Sequence, residues 1–408
     1  MISTKICRVY FKYITEEGER DLLTSLDLFT GAGGFTLGLK NAGIECIGSI
    51  ELDRFASQTF RDNFKEIPHL NANVCDLERD EIYSRYKGVD IICGGPPCQG
   101  FSVAGPSQYG IIDERNNLIL QMSRYAEILN PELVIMENVK GILSGKISPT
   151  KKALDEYYER MGKLGYIIKP FVLQTADYGV PQWRERVFIF AAKKESYIPN
   201  EISGEYGSVR PRVTVWEALS DLPIIQAGEG YEDYAPYEKE SQNEYQDWLR
   251  DGSLGVYNHV AMKHTKRVIE RFKSIPIGGS LVDAPPEHGQ RKRNGTELDV
   301  KGRFKMNNQR LDPNKISTSI TASFQSNFIH PHLERNLTAR EGARLQSFPD
   351  AFVFSGPRTL MSKKLLEKEG RQDEIGLSQY NQIGNAVPPR LAEAIGKATL
   401  ENMLQLKR

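Results

Sequence analysis

Short apolar runs rich in β-branched residues punctuate the first half of the chain, and most stop abruptly at a glycine or an acid. The runs at 25–29, 44–50, 89–93, 133–136 and 187–190 read as buried strands. Shorter candidates lie at 172–174 and in a run closing on Val74-Cys75-Asp76. Between them, Leu118, Ile119, Met122, Tyr125 and Ile128 recur at helical spacing over 117–129, and a further helix is predicted over 150–164. Strands alternating with helices predict an α/β fold with a doubly wound, mostly parallel sheet. Residues 6–14 add an accessory strand, followed by a charged linker.

Beyond Lys193 this pattern fades. Gly, Pro and polar residues rise, so 193–335 reads as a second, smaller, irregular domain after a first domain over 1–192. Residues 336–380 form a hinge helix and a connection. Thr338 and Glu341 make the capping box of that helix, which is predicted to run to Phe348-Pro349-Asp350. The polar stretch 355–380 reads as a loop without catalytic weight. The segment 381–408 returns to the first domain with a final amphipathic helix over 391–404.

At 408 residues the chain is long enough for two domains with a full core. Its 53 Lys and Arg balance 53 Asp and Glu, so any footprint for a polyanion must be local. The five cysteines (7, 46, 75, 93 and 98) contain no CxxC pair, and no run reaches membrane-span length or resembles a signal peptide. A reducing cytoplasm is the expected setting. His330-x-His332 and the pair His259 and His264 lack Cys or acidic partners at ligand spacing, so no metal is expected.

The run 89–93 empties into Gly94-Gly95-Pro96-Pro97-Cys98-Gln99-Gly100-Phe101-Ser102. Gly permits unusual dihedrals and Pro fixes φ, so this loop is irregular yet stiff. It holds one cysteine at the carboxyl end of a strand, where open α/β sheets form their ligand crevice. A buried structural thiol and a nucleophile are both readings of Cys98, but a core thiol needs neither the Pro-Pro before it nor the polar Gln99 and Ser102 after it. Thr30-Gly31-Ala32-Gly33-Gly34 is a glycine-rich strand-to-helix turn, either a tight turn without ligand or one of the kind that binds a nucleotide-like cofactor, and it lacks the ending of a P-loop. Glu51 and Asp76 close the next two runs and put carboxylates at the same rim, where they can accept hydrogen bonds from a ribose.

Glu137 directly follows the run 133–136. It reads as a helix cap or, beside Cys98, as an acid or hydrogen-bonding group. Arg184-Glu185-Arg186 enters the last run either as an edge ladder of charges or with a guanidinium aimed into the crevice. In the second domain basic residues gather, among them Lys266, Arg267, Arg271, Arg303 and Arg310, interleaved with Asn, Gln and Phe. Such a set reads either as a solvated face, balanced by acidic residues between 229 and 251, or as a nucleic-acid surface, with basic residues for phosphates and Arg, Asn and Gln for base edges.

In this order the blocks closely resemble the cytosine-5 DNA methyltransferase family of bacterial restriction–modification systems. They are Asp27-Leu28-Phe29-Thr30-Gly31-Ala32-Gly33-Gly34-Phe35, Glu51-Leu52-Asp53, the Pro96-to-Ser102 loop, Glu137-Asn138-Val139, Gln182-Trp183-Arg184-Glu185-Arg186, Arg340-Glu341-x-x-Arg344-Leu345-Gln346 and Gln382-Ile383-Gly384-Asn385-Ala386-Val387. The resemblance implies a Rossmann-like S-adenosylmethionine-dependent methyltransferase fold, with 193–335 as a target-recognition domain. It implies that Cys98 attacks C6 of a flipped-out cytosine, Glu137 contacts N3, Arg186 binds O2 and Arg184 supports the site. S-adenosylmethionine would meet Phe29, Gly31, Gly33, Gly34, Glu51, Leu52, Asp76, Pro97, Asn385 and Ala386. Double-stranded DNA would meet Gln99 and Ser102 as well as the basic set. A companion endonuclease acting independently is implied in the same way, and a monomer suffices for one cytosine per visit.

Three other readings compete. A tRNA methyltransferase of the same fold typically carries Thr where this chain has Ser102, and lacks a long variable region. An inactive DNA-binding homologue would have no need of an intact Cys98, Glu137 and Arg186. A nicotinamide dehydrogenase leaves the Pro-Pro-Cys loop unexplained.

Overall fold

A computed structural model describes residues 22–97, 118–144, 149–289, 307–358, 361 and 363–404. The accessory strand expected over 6–14 lies outside them. Seven strands form one sheet: β1 (Thr24–Leu28), β2 (Glu45–Glu51), β3 (His69–Asn71), β4 (Ile91–Gly94), β5 (Leu133–Val139), β6 (Ile167–Gln174) and β7 (Glu185–Ala192). Their order is β3-β2-β1-β4-β5-β7-β6. Strands β1 to β5 pair in parallel, whereas β7 runs antiparallel to both β5 and β6. The chain winds outward from β1 to β3 and then returns to β4 on the other side of β1. A switch of direction at β1 and β4 opens a crevice at their carboxyl ends.

The apolar runs are continuous because both faces of the sheet are covered. Leu28, Ile92, Val134, Met136 and Ile189 point to one face, under Met122 and Tyr125 of α3 (Leu118–Leu129) and Tyr157 of α4 (Pro149–Lys163). Ile91, Cys93, Leu133, Ile135 and Phe190 point to the other. There they meet Phe35 and Leu39 of α1 (Gly34–Ala42) and Leu391 and Ile395 of a final helix, Pro389–Leu404. Each fully buried large apolar side chain contributes roughly 1.5–3 kcal/mol. A third cluster joins Phe60 of α2 (Arg54–Asn63) to Val215, Leu249, Phe348, Phe352 and Ile383, so it binds the first half of the chain to the last.

The third strand ends earlier than expected. After Asn71 the chain turns, because Arg124 and Tyr125 donate to the carbonyl of Val74 and Arg124 also reaches that of Leu77, taking acceptors that a ladder would need. Strand β6 begins earlier than expected, at Ile167, and Pro170 is tolerated there because β6 is an edge strand. The described part of 193–335 contains only short two-residue ribbons and helices such as Lys266–Lys273. Thr338 caps the next helix reciprocally with Glu341 as expected, but that helix spans only Ala339–Leu345.

Candidate active site

Asp27, near the end of β1, carries a carboxylate buried in the sheet. It accepts hydrogen bonds from the hydroxyls of Thr30 at 2.8 Å and Thr36 at 2.6 Å, bracketing the glycine-rich turn. Burial pushes its carboxyl up to about 6, against the pull of those hydroxyls. Within the turn Phe29 adopts φ +59° and Gly33 φ +94°, values in the left-handed region that cost a side-chain-bearing residue energy. A Cβ on Gly34 would overlap the carbonyl oxygen of Val387. Only glycine lets the block that follows Asn385 and Ala386 lie against the turn.

Glu51, at the end of β2, stands across from this turn. Its two oxygens accept from the Gly31 and Asp53 amides, both at 2.8 Å, and burial raises its pKa. Leu52 beside it is 66% exposed. Asp76 lies exposed in the turn after β3, tied to Asn73. The structure therefore brings together Gly31, Glu51 and, through Gly34 and Val387, the end of the helix that carries Asn385.

The second half of the crevice is built by β4, β5 and β7. Glu137 pairs with Phe188 and Val139 with Arg186, so the antiparallel register makes Glu137 and Arg186 diagonal neighbours. Arg186 Nε meets Glu137 Oε1 at 3.0 Å. Burial pushes the Glu137 carboxyl up, while Arg186 and Arg184 pull it down. The Glu137 carboxylate also lies over Gly95, where a Cβ would come within 3.1 Å of it. Its neighbour Asn138 donates to the carbonyl of Pro96 at 3.2 Å and so anchors the glycine-proline loop to β5. Cys98 itself, with Gln99, Ser102 and Arg303, lies outside the described residues, and Pro97 is exposed at their border.

Arg184 is buried and donates to the carbonyl of Ile320, while its Nε has no acceptor among the described residues. Burial, with Arg186 nearby, brings its pKa down to about 9. Gln182 fixes this block to the rest of the molecule, accepting from the Ile320 amide and donating to Leu345 O and to Gln346. Asp27, Asn138 and Gln182 stand in the quoted blocks but were given no role from sequence. For Asp27 the signal was present, as an acid inside an otherwise apolar strand.

Two residues expected to contact DNA are bonded to backbone carbonyls of the protein. Arg271, 6% exposed, donates to the carbonyls of His288 at 2.6 Å and Gly289 at 2.9 Å. Arg310, also 6% exposed, donates to the carbonyls of Phe272, Ile275 and His330 and to Glu334. Both guanidiniums are largely buried. Lys266 and Arg267 are exposed in the first turn of Lys266–Lys273. Among the described residues no group of three or more His, Cys, Asp or Glu side chains could hold a metal ion.

A sequence profile of the C-5 cytosine-specific DNA methylases matches residues 23–401. The chain is 43% identical over 381 residues to the Type II methyltransferase M.DdeI of Desulfomicrobium norvegicum, an alignment covering 91% of this chain and 87% of that protein. It is 34% identical over 382 residues to the Type II methyltransferase M1.HphI of Haemophilus parahaemolyticus, covering 93% and 87%. A solved E. coli structure, described as a DNA modification methyltransferase encoded within a prophage, superposes with a TM-score of 0.70 at 28% identity, covering 94% of this chain and 99% of that one.

Proposed function

The chain belongs to the C-5 cytosine-specific DNA methylase family and is a DNA (cytosine-5)-methyltransferase of the restriction–modification type; from that premise we propose how its own residues divide the work. The cofactor is S-adenosylmethionine, which when bound supplies an electrophilic methyl group. The residues at the rim fit it: Glu51 keeps free lone pairs for ribose hydroxyls beyond its two amide contacts, Leu52 offers an exposed apolar face, and the glycines allow close approach. Phe29, Gly31, Gly33, Gly34, Asp76, Pro97, Asn385 and Ala386 complete the cradle.

The target carbon is out of reach inside the duplex, so the cytosine is flipped out into the crevice. Cytosine C5 is a poor nucleophile until C6 is saturated. The Cys98 thiolate adds to C6, a proton leaves C5 after methylation, and the C6–S bond breaks to release 5-methylcytosine and the thiolate. Glu137 bonds the base at N3 as charge develops, Arg186 bonds O2, and Arg184 holds the pair in place from behind. A carboxyl pushed up by burial is suited to sharing a proton with N3. Lys266 and Arg267 meet DNA phosphates. Two cations in the first turn of a helix oppose its dipole, and an anion bound there offsets that cost. The enzyme acts as a monomer in the cytoplasm, and any cognate endonuclease acts separately.

The observation that carries this reading is the Glu137–Arg186 pair, held over Gly95 at the head of the cysteine loop. The test is transfer of labelled methyl from S-adenosylmethionine to genomic DNA and to tRNA, followed by bisulfite sequencing of the DNA. Label in DNA at one short recurring sequence is expected. Label in tRNA alone, or no transfer by protein that binds the cofactor, overturns the reading.

A further inference from the structure

The stretch between the last two family blocks reads from sequence as a loop without catalytic weight, yet its residues 372–377 are built onto the turn that carries Glu51. Asp53 caps α2 with one carboxylate oxygen, accepting from the Phe55 and Ala56 amides at 3.0 Å. Its other oxygen accepts from the Leu377 amide at 2.8 Å. The Asp53 amide in turn donates to Glu51 Oε1 at 2.8 Å. Arg54 grips the same segment, donating to the carbonyls of Ile375 at 3.1 Å and Gln372 at 3.3 Å. The Phe55 ring lies against Gly376, where a Cβ would come within 2.6 Å of it.

The segment is coupled at its far end to a second part of the rim. Leu377 is followed by Ser378, which caps the helix Gln379–Asn385, and the Leu377 carbonyl accepts from Gln382 at 3.0 Å. One short strap thus touches both the Glu51 turn and the helix that ends at Asn385.

We propose that Asp53 is a positioning residue: by joining the 372–377 strap to the Glu51 turn it sets the orientation of Glu51, and with it the affinity for cofactor. This rests on the reading of Glu51 as a cofactor contact. A carboxylate with two acceptor oxygens can cap a helix and hold the strap at once, and an amide cannot. Asp53→Asn keeps an oxygen for the cap but turns an NH2 toward the Leu377 amide. Arg54→Ala removes the second grip and leaves the cap intact.

The test is titration of S-adenosylhomocysteine by calorimetry, together with steady-state kinetics in S-adenosylmethionine. Asp53→Asn is expected to weaken binding about tenfold, the loss of one charge-assisted hydrogen bond, and Arg54→Ala about threefold. KM for the cofactor should rise in parallel, with kcat at saturation and DNA affinity within about twofold of wild type. Wild-type affinity in both variants, even with a lowered melting temperature, overturns the proposal, as does a fall in kcat without a change in KM. If Asp53→Asn does not fold, Arg54→Ala alone decides. A Glu51→Ala control that binds as tightly as wild type removes the premise instead, which separates that failure from failure of the strap.

Discussion

Arg186 and Arg310 are both largely buried guanidiniums beside a glutamate, and they belong to regions that use arginine in opposite ways. Arg186 sits at the end of a regular sheet whose backbone groups are already paired in the ladder, and it meets Glu137 at the mouth of the crevice. Arg310 sits in a region with little regular structure, where carbonyls lack ladder partners. It donates to those of Phe272, Ile275 and His330. Arg335 and Arg340 do the same for Ile225 and Tyr257, and Arg344 for Ala218. A buried carbonyl must find a donor, and the planar fork of arginine serves several at once. In the irregular region a buried arginine therefore marks backbone that needs holding, while exposed Lys266 and Arg267 keep their charges at the surface. At the end of the sheet Arg186 spends one bond on the carbonyl of Glu185, at 2.8 Å, and turns its Nε to Glu137.

The sharpest break of this contrast is Arg344→Ala. It takes from the buried Asp221 and Asp350 the guanidinium they share, 2.6 Å from Asp350, and leaves them Arg250 at 3.3 Å and Arg340 at 3.8 Å; removal of one partner of a buried pair costs about 3–5 kcal/mol. Denaturant unfolding should show that loss together with poor soluble yield, and an unchanged midpoint would remove the structural role. Glu137→Gln should do the converse, lowering kcat by about 10²-fold or more while the unfolding midpoint stays near wild type. A large drop in midpoint would make Glu137 a structural residue like Arg310.

Asp27 tests whether the regular half carries its own electrostatic cost. Its carboxyl stands at about 6 in the folded protein against 3.8 ordinarily. As pH rises from about 4 to about 6 the unfolded chain loses this proton first, so the wild type loses stability relative to Asp27→Asn, by roughly 3 kcal/mol at most, and the difference is flat above that window. A difference independent of pH from 4 to 7 would contradict the burial argument. The smallest effect belongs to Lys266→Ala with Arg267→Ala. Both side chains are exposed, so stability should hold while the slope of DNA affinity against salt falls by about 1 per residue. Arg310→Ala should instead lower stability, and its salt slope should change only as far as folding fails.

This contrast also explains what was legible in the sequence. The sheet was readable because strands covered on both faces are continuously apolar, and the residues that follow them, such as Glu137 after Met136, stand out as a change of type. The early end of β3 was not readable, since it depends on Arg124 and Tyr125 reaching Val74 across the fold. The same holds for Arg271 and Arg310, because nothing local tells a guanidinium spent on carbonyls from one facing solvent. The strap over the Glu51 turn was hidden for a similar reason: Asp53 and Leu377 lie far apart in the chain, and their bond is made by a backbone amide that every residue but proline carries.

The most direct test of the site uses a DNA duplex with 5-fluorocytosine at the methylated position, incubated with enzyme and S-adenosylmethionine. Fluorine blocks loss of the C5 proton, so a Cys98–C6 adduct cannot resolve. Wild-type protein should form a complex that survives denaturing electrophoresis, Cys98→Ser none, and Glu137→Gln the same complex about 10²-fold more slowly. No complex with the wild type, or trapping by Glu137→Gln at the wild-type rate, would contradict the chemistry assigned to the crevice.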